Sequence, residues 1–580
     1  MSYTVDTGVR VPMRDGTELD TNVWRPAGEG PWPTLLVRLP YGKDLPALLT
    51  YGTNPNVFEL VEAGYAVVFQ DCRGTFKSEG VFQPMVHEPE DGADTVAWLM
   101  ARSWCDGSIG SYGPSYLGFV QWATASTGAA GLKAIAPSVA TTDYYTAPWY
   151  SDGGALSLQV VHFWTTTMAF LDAQREVAAG VGDVQELMGL AAVLADPAPH
   201  MAHLPMSEQP MLDQRMPWWS DIVGHPARDS YWRDLSVAED YAVVTVPALH
   251  IGGWYDFYLN NILKSYSALK QKAGSPQARS GQRLVVGPWD HLSATGVYPD
   301  RQFGLAANSL AADMTGLHRR FFDRWLRGQP DALESLAPVR IFVMGIDQWR
   351  DEQDWPLSDT RQTDFFLSGS GPANTLNGHG VLSTAAPDTE NRETYLYDPR
   401  RPVPTLGGRV MLPATANAAG PVDQRPAEAR EDVLCFTTPE LDEPVEVTGH
   451  VSLLLHVASS AKDTDFTGKL VDVFPDGRAI ILTEGILRTR YRNSLEDADL
   501  IEPGEVYEIT LDLSATSNVF LRGHRIRLEV SSSNFPRYDR NTNTVGVIAG
   551  DGEQDVIAAV NHVLHGPRHL SRLVLPIIER

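Results

Sequence analysis

Ser115, Asp256 and His291 follow one another in the order that a serine hydrolase of the α/β type would use. A serine hydroxyl is a weak nucleophile, so a histidine must take its proton and a carboxylate must hold that histidine in one tautomer. Ser115 lies in "DGSIGSYGPSYLGFVQWATAS", residues 106–126, with Gly113 two places before it and Gly118 three after. Small residues there permit a sharp strand-to-helix turn that presents the hydroxyl. The second glycine is one place later than in the strict GxSxG pattern, so an ordinary turn serine stands beside the nucleophile as a reading.

Two later segments supply the partners. "VPALHIGGWYD" predicts a strand ending near Gly253 and places Asp256 in the loop after it, and "RLVVGPWDH" predicts one ending near Gly287 and places His291 likewise. The carboxyl ends of sheet strands are where α/β proteins build their sites. Of the fifteen histidines, His250 falls inside a predicted strand and His291 just beyond one, which favours His291. Asp290 competes as the acid, but neighbours on one short loop orient each other poorly, and it reads as a solvated turn residue. Hydrolysis also needs donors for the developing oxyanion. The backbone N–H of Tyr116 is one candidate, and the phenol of Tyr41 in "RLPYGKD" is the other, since that loop lacks an HGGG-type run. A plain turn tyrosine is the alternative for Tyr41.

The elements that must position these residues are legible in outline. "PTLLVR" and "YAVVFQD" are short β-branched runs, "MRDGTEL" carries an Asp-Gly turn, and "DGADTVAWLMARSW" has helical apolar spacing. A helix is expected from Tyr116, a strand at "GLKAIAPSVA", and an amphipathic helix at "DMTGLHRRFFDRWLRG". That alternation predicts a mainly parallel α/β sheet. Residues 142–237 are helix-prone and rich in Trp, Met and Leu, as a helical insertion over the site would be. From about residue 351 short strands punctuated by Asp-Gly, Pro and Asn predict an all-β sandwich of jelly-roll type. The expected division is 1–141 and 238–350 for a split α/β domain, 142–237 for a helical cap, and 351–580 for the jelly-roll.

Composition narrows the function classes. The chain has 580 residues, 43% hydrophobic and 20% charged, which is long enough for several domains and ordinary for a globular protein. A formal charge of −26 leaves no basic stripe for nucleic acid or anionic lipid. Three scattered cysteines, Cys72, Cys105 and Cys435, fit reduced thiols rather than a disulfide framework. Neither an h-region nor a membrane-length apolar run is found, and a cytoplasmic location is expected. No Cys/His pair at metal spacing appears, and neither a metal nor an organic cofactor is expected.

"GPSYLG", "DCRGTFKSEG", "WYD", "GPWDH", "RLPYGK" and "SSSNFPRYDRN" together resemble the X-Pro dipeptidyl peptidase and α-amino acid ester hydrolase family. The likeness extends over nearly the whole chain through "LKAIAPS", "APWY", "FVMGID" and "LVDVFPDGRAI". It implies an α/β-hydrolase domain with an inserted helical cap and a C-terminal jelly-roll. It places the nucleophile on Ser115 in the family's own GxSYxG form, the acid on Asp256, the base on His291, and the oxyanion donors on Tyr41 and Tyr116. Asp71 and Arg73 in "DCRGTFKSEG" read as residues that order loops.

Trp149, Trp164 and Tyr258 have faces that could wall an acyl pocket, with core packing as the alternative for each. Leu406, in "PVPTLGG", is expected to reach the site from the jelly-roll. The leading expectation is a serine carboxylesterase acting on bulky or aromatic acyl esters, such as cocaine-like benzoyl esters. An X-Pro dipeptidyl aminopeptidase or α-amino acid ester hydrolase is the runner-up; it would need carboxylates converging on the substrate ammonium, and none can be placed near Ser115. A non-catalytic carbohydrate-binding protein is the alternative of another class. The partner expected is a small-molecule ester, with no nucleic acid and no membrane, and a homodimer is left open.

Overall fold

The computed structural model describes residues 3–45, 52–411 and 418–580. Its first sheet holds ten strands, β1 (Tyr3–Pro12), β2 (Glu18–Pro26), β3 (Trp32–Leu39), β4 (Ala66–Asp71), β5 (Cys105–Pro114), β6 (Leu132–Ser138), β7 (Leu249–Tyr255), β8 (Arg283–Asp290), β9 (Val339–Val343) and β10 (Gln348–Glu352). They lie in the order β1-β2-β4-β3-β5-β6-β7-β8-β9-β10. Every pair from β4 through β9 along that path is parallel, while β1, β2 and β10 are antiparallel edges. Strands β4 and β7 are buried along their whole length, as strands covered on both faces must be. Helices Glu88–Met100 and Tyr116–Ser126 pack together beside the central strands. This is an α/β-hydrolase fold carrying a C-terminal β-rich domain.

Parallel strands leave all their carboxyl ends at one edge of the sheet. Tyr41 follows β3, Ser115 follows β5, Asp256 follows β7 and His291 follows β8, so four distant stretches of sequence meet there. Strands β7 and β8 run to Tyr255 and Asp290, two to three residues beyond the glycines where the sequence pattern places their ends.

Between β6 and β7 the chain forms a helical turn at Tyr145–Trp149, then helices Leu158–Ala178 and Val184–Ala195. Beyond Ala195 the helices shorten to between four and seven residues. Pro197, Pro199, Pro205, Pro210, Pro217 and Pro226 explain the fragmentation, because each lacks an N–H and clashes with the preceding turn.

The C-terminal strands form one eleven-stranded, mainly antiparallel sheet. Its longest pair, Val445–Ser459 with Tyr507–Phe520, is antiparallel, and Val447, Val451, Leu453, Leu455 and Val457 turn inward at alternate positions. Trp254, Tyr255 and Tyr258 share one core with Leu453, Leu482 and Leu513, so this domain packs directly behind the end of β7.

A buried ion cluster ties this β-rich part to the insertion between β6 and β7. Arg488 donates to Asp465 (3.0 Å) and Asp539 (2.8 Å), and all three side chains are at most 3% exposed. Its backbone N–H donates to Gly153 O, while Asp539 Oδ1 accepts from Leu156 N. Removing one partner of a buried pair strands the other charges. Arg488→Ala is therefore expected to destabilise the protein by about 3–5 kcal/mol, measured as a lowered urea midpoint. Among the described residues no helix is long and apolar enough to cross a membrane.

Candidate active site

Ser115 sits on the turn between β5 and helix Tyr116–Ser126 with φ 58° and ψ −126°, a conformation that a non-glycine residue adopts only when its surroundings impose it. The surroundings are specific. Ser115 N–H donates to Ser138 O (2.9 Å), and its own carbonyl accepts from Gly118 and Phe119. Gly113 has φ +138°, and a Cβ there would lie 2.7 Å from Leu117 Cβ. At Gly118 a Cβ would lie 2.4 Å from Ala140 Cβ. The late glycine is thus required where the helix crosses the chain leaving β6.

His291 Nε2 lies 3.1 Å from Ser115 Oγ, and His291 Nδ1 lies 2.6 Å from Asp256 Oδ2. Asp256 is fully buried, and its other oxygen accepts from Tyr258 N at 2.8 Å. Both carboxylate oxygens are therefore occupied, and the acid cannot rotate away from the imidazole. The Phe257 ring packs against that of His291 at 4.4 Å between centroids. Asp290 is not a solvated turn residue: it is 8% exposed and accepts from Leu292 N and Ser293 N. It shapes the turn that carries His291.

The Tyr41 hydroxyl accepts a hydrogen bond from Trp164 Nε1 (3.0 Å), which leaves its own proton to be donated. Burial pushes the Tyr41 phenol up to about 12, so it stays a neutral donor. The loop is pinned by Asp71, which accepts from Lys43 N at 2.6 Å, and by Lys43 Nζ on Asp20 at 2.7 Å. Arg73 bridges Asp91 and Asp15 in the adjoining loop. The two residues of "DCRGTFKSEG" order chain segments, as their types suggest.

A cavity opens in front of Ser115, walled by Tyr41, Tyr116, Trp149, Trp164 and Tyr258. Phe257, Tyr144 and Met411 are among the other residues lining it, and the sequence patterns do not single these out. Phe257 adjoins the acid and was open to the same reasoning as Tyr258; Met411 comes from the far side of the chain and carries no local signal. Leu406 does not line this cavity. It packs on Val403, Ala427, Val433 and Cys435 in the β-rich part, where the apolar surface next to it is. None of the described residues lining the cavity is an Asp, Glu, Lys or Arg.

Residues 15–293 match the model of the X-Pro dipeptidyl-peptidase S15 family, and residues 331–574 match that of the X-Pro dipeptidyl-peptidase C-terminal non-catalytic domain. A cocaine esterase of Rhodococcus sp. (strain MB1 Bresler) is 50% identical over 581 residues, covering 100% of this chain and 99% of the relative. The chain belongs to the X-Pro dipeptidyl-peptidase (S15) family. A putative serine esterase of Mycobacterium bovis is 27% identical, over 98% of this chain and 95% of its own length. Among solved structures, an α-amino acid ester hydrolase superposes with TM-score 0.80 at 25% identity, over 99% of this chain and 96% of that one. An aminopeptidase from a marine sediment Thaumarchaeota archaeon shares the fold at TM-score 0.81 and 24% identity, over 100% and 97% of the two chains. The family is hydrolytic, and this chain is a hydrolase.

Proposed function

We propose that this member of the family is a serine carboxylesterase that hydrolyses bulky or aromatic acyl esters, of the benzoyl type, through an acyl-enzyme on Ser115. The observation that carries the reading is the aromatic cavity in front of that serine, which has no carboxylate among its described lining residues. An uncharged aryl group gains by burial there, whereas a substrate ammonium would be desolvated without a counter-charge. The relative named cocaine esterase, 50% identical over the full length, supports the same substrate class.

In this mechanism His291 takes the Ser115 proton as Oγ attacks the ester carbonyl, and Asp256 stabilises the resulting imidazolium. The oxyanion receives the Tyr41 hydroxyl and the Tyr116 N–H. His291 then protonates the leaving alkoxide, and a water activated by the same imidazole releases the acid. Three unpaired, buried cysteines fit a cytoplasmic setting for this activity.

Initial rates on p-nitrophenyl benzoate and cocaine, measured beside an X-Pro p-nitroanilide and an α-amino acid ester, test the proposal. Faster turnover of the benzoyl esters is expected; preference for a free α-amino group would sink it. Tyr41→Phe is expected to lower kcat about a hundred- to a thousandfold, the effect of removing one oxyanion donor. Because the buried phenol keeps its proton past the ordinary tyrosine range, wild-type turnover should show no loss from Tyr41 ionisation up to pH 10.

A further inference from the structure

Tyr116 contributes its backbone N–H to the oxyanion, and its side chain is committed elsewhere. The phenol, 4% exposed, donates to Glu88 Oε1 (2.9 Å) and accepts from Met85 N (2.9 Å). Glu88 opens the helix Glu88–Met100 and is itself 3% exposed. Its second oxygen lies 2.7 Å from Arg38 Nη1 and accepts from the Cys72 thiol at 3.7 Å. Arg38, 1% exposed on β3, donates through Nη1 to the Glu88 carbonyl (3.2 Å) and through Nε to Gln70 on β4 (2.9 Å).

Both carboxylate oxygens are thereby occupied, Oε1 by the Tyr116 phenol and Oε2 by Arg38 of β3 and the Cys72 thiol just after β4. Burial, with the Glu88 carboxylate beside it, keeps the Tyr116 phenol protonated as the donor. A hydrogen bond to an ionised acceptor is stronger than one between neutral groups. Tyr116 directly follows the strained Ser115, so anchoring its ring restricts rotation of the peptide whose N–H faces the oxyanion. A buried ion pair adds little net stability over an apolar substitute of the same volume. Its use here is geometric.

We propose that Glu88 is a positioning residue for ester hydrolysis, acting through the Tyr116 phenol to hold the Tyr116 amide on the developing oxyanion. The proposal rests on the reading of Ser115 as the nucleophile of an esterase. Glu88→Gln, Tyr116→Phe and the double variant would be assayed on p-nitrophenyl benzoate, with active sites titrated by a p-nitrophenyl phosphonate so that misfolded protein is not counted. Each single variant is expected to lower kcat about tenfold to a hundredfold, the range produced by a displaced catalytic group, with KM changed less than twofold. The double variant should be no slower than the slower single one, because both remove the same contact. Where Glu88→Gln folds poorly, Tyr116→Phe, which deletes one oxygen, decides the matter. A kcat per titrated site within twofold of wild type, or additive losses in the double variant, would overturn the positioning role. Failure of the wild type itself to turn over the ester would instead overturn the esterase reading.

Discussion

Ser115→Ala is expected to lower kcat on p-nitrophenyl benzoate by about 10⁴- to 10⁶-fold, leaving only the rate that binding and the oxyanion donors supply. The size of the effect follows from the geometry. Among the described lining residues no other hydroxyl is placed to form the acyl intermediate, since Tyr41, Tyr116, Tyr144 and Tyr258 are phenols kept protonated by burial and Thr141 Oγ1 donates to the Asp143 carbonyl. The backbone that holds the position should survive the change, because Ser115 N–H and its carbonyl, not the hydroxyl, bond to Ser138, Gly118 and Phe119. Far-ultraviolet circular dichroism and thermal midpoint are therefore expected to match wild type. A p-nitrophenyl phosphonate should label wild type on the peptide containing Ser115 and leave the alanine variant unlabelled. Label on another residue, or ester turnover that persists in the variant, would falsify the assignment.

Asp256→Asn is the second large effect, a fall of about 10⁴-fold in kcat near neutral pH. Asp256 Oδ2 accepts from His291 Nδ1 at 2.6 Å, while Oδ1 accepts from Tyr258 N. The Tyr258 N–H demands an acceptor, so the asparagine carbonyl oxygen is retained there and its NH₂ group faces His291. Nδ1 must then accept, which puts the imidazole proton on Nε2 and removes the base from Ser115. Substrate binding is left intact because Asp256 does not line the cavity. The expected signature is a collapsed kcat at nearly constant KM in steady-state kinetics. Equal loss in both parameters, or a loss below tenfold, would mean that Asp256 does not orient the base.

Much of this site is legible in the sequence because its residues lie just beyond strand ends. A parallel sheet exposes all its carboxyl ends at one edge, so recognising β5, β7 and β8 places Ser115, Asp256 and His291 near one another without knowing the sheet order. The aromatic walls follow less directly. Trp149 and Trp164 belong to an insertion whose docking depends on packing, and the same residues could have filled a core. Trp164 indeed does both, donating from Nε1 to Tyr41 across 123 residues of sequence while lining the cavity. Leu406 shows the converse: its place in the β-rich part suggested reach into the site, but its side chain turns to a local cluster around Val403 and Cys435.

Glu88 illustrates a further limit. In "VHEPEDG" an acidic residue at a helix start is accounted for by the helix dipole alone, and nothing local points to Tyr116, 28 positions on. Asp290 had the opposite fate, a loop carboxylate expected in solvent that is buried and bonded to two backbone amides. Residue types, their order and the periodicity of the flanking strands are local properties, and they point to serine hydrolysis, while the choice between nucleophile and turn serine at Ser115 rests on the family resemblance. The sequence also carries the displaced glycine at position 118 without its reason, which is the 2.4 Å approach to Ala140. Which aromatics face Ser115, which carboxylates are buried, and which groups bond the Tyr116 phenol are set by the tertiary structure. Those depend on contacts between segments far apart in the chain, where side-chain direction is set by packing rather than by any neighbour in sequence.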